Sequence, residues 1–169
     1  MADLIVSTDP KRVSPIQYRH LLREFIEARE FEQLQTLVVK ILGQAEHTAF
    51  LVTCSDLIDF DPSLAYVVIH HPKLLLPIFD EAVFEAQTSL CQHPALEKKY
   101  GRKGSAKIHC HVRLVGLPPL EYLTKPTIGD IRAGDVSNLV QISGTVVRTG
   151  AVRFSQMDCK RFIRAITSI

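Results

Sequence analysis

The sequence predicts an α+β protein, and three observations predict it. Apolar residues recur at helical spacing through residues 14–93. From Lys107 onward they alternate with polar ones, which is the period of a strand. Between the two patterns lies PALEKKYGRKGSA (residues 94–106), with a proline, two glycines, clustered cations and little apolar content. That composition reads as a linker or exposed loop. The expected organisation is a flexible N-terminus (1–13), a helical subdomain (14–105), a strand-rich part (106–154) and a C-terminal tail (155–169).

In Ser14-Pro15-Ile16-Gln17 the serine is an N-cap, the proline takes the first helical position, and the glutamine completes a capping box. Tyr18, Leu21, Leu22, Phe25 and Ile26 then share a helical face. So do Leu34, Leu37, Val38, Ile41 and Leu42, with Gly43 as the stop. Thr48 to Cys54 is a short apolar run suited to a strand. Asp61 caps a second helix that begins at Pro62, and Pro72 ends it. LLLPIFDEAVFEAQTSL forms a third, in which Pro77 must sit in the first turn or bend the axis. The apolar stripes of these helices read as core.

In KIHCHVRLVGL, alternation places Ile108, Cys110, Val112 and Leu114 on one face and Lys107, His109, His111 and Arg113 on the other. The thiol of His109-Cys110-His111 therefore lies opposite its two imidazoles, and two histidines without a further ligand make a poor zinc site. Pro118-Pro119 ends the strand. A connector and a turn around Asp130–Asp135 lead to LVQISGTVVRTGAVRF (139–154), where Val140, Ile142, Gly144 and Val146 keep the strand period. Arg148 and Arg153 punctuate this otherwise uncharged run, and a turn at Thr149-Gly150 would let both face one groove.

Composition narrows the function. The longest apolar runs, 64–69 and 74–79, are too short to span a bilayer, and no basic segment leads into an apolar one at the N-terminus. The four cysteines are widely spaced without a CxxC, which fits a reducing compartment better than a disulfide framework or zinc site. Residues 1–105 carry a net charge of −3 and residues 106–169 a net charge of +5. A basic segment that also reads as β points to a polyanion. GRKGSAK departs from the phosphate-loop pattern, since Lys107 follows alanine and a strand comes next. No nucleophile–base or paired-carboxylate constellation stands at an informative spacing.

Three segments together carry a resemblance: SDLIDFDPSLAYVVIHHPKLLLPIFDEAV, HVRLVGLPP, and IGDIRAGDVSNLVQISGTVVRTGAVR. Over roughly residues 15–154 the chain resembles the N-terminal region of the minichromosome maintenance (MCM) DNA helicases. The family's G-[TI]-V-x-R-[TS] motif is matched by Gly144, Thr145, Val146, Arg148 and Thr149. SGTVVRTGAVR leans toward the ninth paralogue, which is associated with recombination repair. The resemblance implies a helical subdomain beside an incomplete oligonucleotide-binding (OB) barrel, and a nuclear role in DNA replication or homologous recombination.

It also implies single-stranded DNA and other MCM subunits as partners, with Arg148 and Arg153 as the leading DNA contacts and Arg113 and Lys125 as secondary ones. The family's zinc ribbon and ATPase, with their Zn, Mg and ATP, have no counterpart in these 169 residues, so the chain reads as truncated. The alternative is a non-catalytic interaction module whose barrel is inert. Lacking a phosphate-binding loop, the purified chain is expected neither to bind nor to hydrolyse ATP. Stoichiometric ATP binding in a calorimetric titration would contradict that.

Overall fold

Helix α1 (Pro15–Arg29) starts where its cap chemistry places it. Ser14 Oγ accepts the Ile16 N–H at 3.3 Å, and Gln17 Oε1 accepts the Ser14 N–H at 3.1 Å. The computed structural model describes residues 14–40, 47–101 and 103–145. Ile41, Leu42 and Gly43, the N-terminal segment and the tail lie outside them. Helix α2 (Phe31–Val39) comes after a break at Glu30. Strand β1 (Thr48–Thr53) runs directly into α3 (Cys54–Phe60), a short helix without side-chain capping that sequence patterning did not mark. Asp61 Oδ1 then accepts the N–H groups of Ser63 (2.8 Å) and Leu64 (3.2 Å), opening α4 (Pro62–His70). Helix α5 (Pro72–Cys91) continues through Pro77, beyond its first turn. Proline removes the N–H that the Lys73 carbonyl would take, but both residues are exposed, so water can serve instead.

Residues 94–106, expected as a linker or loop, are instead helical over α6 (Pro94–Tyr100) and packed beyond it. His93 Nδ1 accepts the Ala95 N–H at 3.3 Å, Pro94 occupies the first turn, and Gly101 closes the helix at φ 67°. Proline at the start and left-handed glycine past the end are ordinary helix punctuation. Lys98, Lys99 and Lys103, which made the segment look unstructured, are exposed, while Leu96 is buried and packs on Val38 and Val39. Gly104 lies so close that a Cβ there would come within 2.6 Å of Leu96 Cδ2. The Ser105 N–H donates to the Val38 carbonyl at 3.1 Å.

The strand pattern after Lys107 gives β2 (Cys110–Val115), with Cys110, Val112 and Leu114 buried as alternation requires. Ile108 is 76% exposed, because the strand begins two residues after it. The partner of β2 is β1, in parallel, with Thr48 opposite Cys110 and Thr53 opposite Val115. A second parallel pair joins β3 (Thr124–Lys125) to β4 (Gln141–Ile142). Among the described residues the fold is a mixed one of helices and strands with two small sheets, and no closed barrel is present there. β1 pairs with one edge of β2, while the apolar face of β2 is buried in the helix-rich core, against which Leu139 also packs.

Both outer edges of the β1–β2 pair are closed by helix side chains. The Gln33 amide of α2 pairs with Leu51 as a strand would, accepting its N–H and donating to its carbonyl, each at 2.8 Å. On the other edge Asp80 Oδ1 of α5 accepts the Val112 N–H at 2.6 Å. One side of the sheet then buries Phe50, Val52, Val112 and Leu114 in the main core. There Phe25 meets Phe60 and Phe79 edge-on, with centroids 5.5 Å and 6.1 Å away. Each fully buried side chain of this size contributes about 1.5–3 kcal/mol.

Asp80→Ala leaves the Val112 N–H without its acceptor, so urea unfolding should report a loss of about 1–3 kcal/mol. Asp80→Asn keeps an acceptor oxygen at the same place and should lose less. Equal losses for the two variants would show that the edge bond is not what Asp80 supplies.

Candidate nucleic-acid interface

Two consecutive 3-10 turns, Ile128–Asp130 and Ala133–Asp135, carry the chain from β3 to β4. Each is closed by an aspartate reaching back three residues. Asp130 Oδ2 accepts from the Thr127 N–H (3.1 Å) and hydroxyl (2.8 Å), and Asp135 Oδ2 accepts from the Arg132 N–H (2.8 Å). These bonds hold both carboxyls below the ordinary aspartate value, led by the Thr127 hydroxyl for Asp130 and the Arg132 backbone for Asp135. The Lys125 ammonium, 3.1 Å from Asp135 Oδ1, lowers the latter further.

Lys125 is thus committed to a brace between β3 and the second turn, with its side chain 14% exposed. Arg113 stands exposed on β2, in register with Leu51. The two cations belong to different sheets. Arg148 and Arg153 lie outside the described residues, but the root of their segment does not. The Leu139 N–H donates to the Ile69 carbonyl of α4 at 3.2 Å, and the Gln141 N–H to the Leu123 carbonyl at 2.8 Å. Lys73 at the start of α5 donates to Ser137 Oγ at 2.9 Å. The chain therefore enters Gly144-Thr145 from a strand tied to the helical part.

Beside this root the tertiary structure assembles an aromatic cluster that sequence reading missed. Tyr66 and His70 of α4 approach with ring centroids 4.1 Å apart. His70 in turn stacks on Tyr122 at 5.8 Å, their planes 16° apart. The Tyr66–His70 pair had a legible signal, the i,i+4 spacing of a helix face. Tyr122 had none, since it lies in a connector. Burial, then the neighbouring His71, holds His70 below the ordinary histidine value, which favours the neutral ring.

A second histidine group gathers at the start of the β1–β2 pair. His47 lies 5.0 Å from His109 and 5.7 Å from His111 between ring centroids, and His111 Nδ1 is 3.0 Å from Asp80 Oδ2. Among the described residues no group of three or more His, Cys, Asp or Glu is arranged to hold a metal ion. Cys110 is buried on the opposite strand face, as alternation requires. Burial pushes the Cys54 and Cys110 thiols up to about 11, Asp80 adding to the second, so neither is a thiolate nucleophile at neutral pH. No described helix is long and apolar enough to cross a membrane.

The family model described as "MCM9, N-terminal domain" matches residues 16–118, more than half of the chain. The chain belongs to the MCM family. What it matches is the N-terminal region. A probable DNA helicase MCM9 of Oryza sativa subsp. indica is 26% identical over 148 residues, covering 85% of this chain and 22% of that protein. A probable DNA helicase MCM9 of Arabidopsis thaliana is 34% identical over 111 residues, covering 63% of this chain and 17% of that protein. The minichromosome maintenance protein of Saccharolobus solfataricus is 26% identical over 141 residues, covering 82% and 18%. This MCM chain thus spans about a fifth of the length of the curated relatives it matches. The crystal structure of the N-terminal domain of an archaeal MCM superposes with a TM-score of 0.53 at 19% identity, covering 78% of this chain and 46% of that one. That likeness is one of fold.

The turn that leads into the motif gives a pH prediction. A carboxyl held low in the folded state supports the fold above its unfolded value and loses that support as pH falls through the folded one. The Arg132 amide resonance should track Asp135 with a midpoint below the ordinary 3.8. In Asp135→Asn the amide should stop responding to acid. A wild-type midpoint at or above 3.8 would contradict the bonding described.

Proposed function

We propose that this chain is the N-terminal DNA-binding and ring-assembly region of an MCM-type DNA helicase subunit, acting in DNA replication or recombination repair in the nucleus. The observation that carries the reading is the MCM9 N-terminal match over 16–118, with the G-T-V-V-R-T sequence after it at 144–149. In this reading the 139–154 segment is part of an OB-type surface. Arg148 and Arg153 bind phosphates of single-stranded DNA, with Arg113 as a further exposed cation. Lys125 serves that surface indirectly, because its ammonium is neutralised by Asp135. The helical part supplies faces for other MCM subunits. ATP, Mg and Zn belong to parts of the family outside this stretch, and the 169 residues hold no GxxxxGK[ST] sequence.

The physical logic is that of single-strand binding in general. Cations line up along the phosphates and release counterions, while uncharged faces meet the bases. A second reading, a protein-interaction module without DNA contacts, draws on Ile128 and Val136, which are 71% and 69% exposed on the two turns.

A salt titration separates the two. If Arg148 and Arg153 contact phosphates, changing both to alanine should weaken binding to an oligothymidylate. It should also make the slope of log affinity against log salt shallower by about 1.4, roughly 0.7 for each contact. Changing both to lysine should retain much of the binding, since a phosphate needs charge more than a fork. An unchanged slope in the double alanine variant would remove the 139–154 segment from the DNA-binding surface. No binding by the unaltered chain would favour the interaction module.

A further inference from the structure

We infer that the Tyr66–His70–Tyr122 cluster is a base-stacking platform for single-stranded nucleic acid, set at the root of the arginine-bearing segment. The inference rests on the single-strand reading above and adds the surface that meets the bases.

Three features of the cluster support it. Its outer members are accessible, with Tyr66 46% and Tyr122 51% exposed, while His70 is half-buried between them. Large rings on a protein surface lose apolar burial, yet here they come from two separate segments and adopt offset, near-parallel geometry at His70–Tyr122. Such an arrangement presents ring faces, which any base can stack on without sequence preference. His70 is held toward its neutral form by burial, so the middle ring adds a stacking surface rather than a charge.

The cluster also adjoins the chain that leads to the arginines on both sides. His70 comes directly after Ile69, whose carbonyl accepts the Leu139 N–H, and Tyr122 precedes Leu123, whose carbonyl accepts the Gln141 N–H. From Gln141 to Arg148 is seven residues, at most about 25 Å of extended chain. A strand whose phosphate meets Arg148 can therefore place a base on Tyr122 within the 4–16 nucleotides that one OB-type site typically engages. Lys73, three residues beyond His70, is exposed and donates to Ser137 Oγ, which places a cation near the platform for an intervening phosphate. Glu121 is an exposed neighbouring acid, so attraction at the platform comes from ring faces more than from charge.

Stacking and phosphate binding leave different signatures in salt. In the full 169-residue chain, Tyr66→Ala with Tyr122→Ala should weaken oligothymidylate binding about fivefold or more, the lower end for one stacked base. The salt slope should stay unchanged, in contrast to the arginine variants. Phenylalanine at both positions should bind like the unaltered chain. The chain has no tryptophan, so Tyr122→Trp supplies a lone reporter that keeps an aromatic face. Its fluorescence should be quenched when the oligonucleotide binds, independently of whether the alanine pair folds. If the unaltered chain binds but Tyr122→Trp is not quenched, or a folded alanine pair binds equally well, the platform is overturned and the arginine reading stands. If the unaltered chain does not bind at all, both fall.

Discussion

Among the described residues, the parallel pair of β1 and β2 is the constraint on which this fold depends. Parallel sheets are normally covered on both faces, and backbone groups left unpaired at a covered edge are costly to bury. Here helices take the place of the missing strands. Gln33 offers Leu51 an amide that is the chemical equal of a neighbouring peptide, and Asp80 offers Val112 a carboxylate. The sheet can therefore be as short as two strands and still hold Phe50, Val52, Val112 and Leu114 in the core.

That solution makes α5 the organiser of the chain beyond it. Asp80 and Gln87 are seven residues apart, on one helix face. Gln87 Oε1 accepts the Lys107 N–H at 2.7 Å, while Asp80 takes Val112. With Ser105 bonded to Val38, the stretch from 105 to 112 is tied to the helices at three backbone points. The next stretch inherits this placement through buried Leu117 and Leu123 and the Leu139–Ile69 bond. A helical part and a strand-bearing part are thus joined by hydrogen bonds rather than by a loose tether.

The basic charge of residues 106–169 is not uniformly available to a partner. Lys125 is neutralised inside a turn, whereas Arg113 is held out by the strand pleat. A lysine in an ion pair has already exchanged its counterion for a carboxylate, so it releases little on meeting a phosphate. Sequence-level charge therefore overstates the field that a polyanion meets, and exposed rings near the motif become correspondingly more important to the proposed interface.

Sequence by itself determined the elements whose cause is local. The Ser14 capping box, the Asp61 cap, the apolar run of β1, the β2 alternation and the opposed faces of His109-Cys110-His111 all arise from local sequence, and all are present. The family resemblance was equally legible, because it resides in ordered short segments. Only the tertiary structure decided which strand β2 would join, since pairing across some sixty residues has no local signal. It alone turned 94–100 from part of an apparent linker into a packed helix, through one leucine and one glycine in contact. It alone brought Tyr122 to His70 and spent Lys125 on Asp135. A residue's type and spacing state what it can do, whereas its partners across the fold determine whether that capacity is left free.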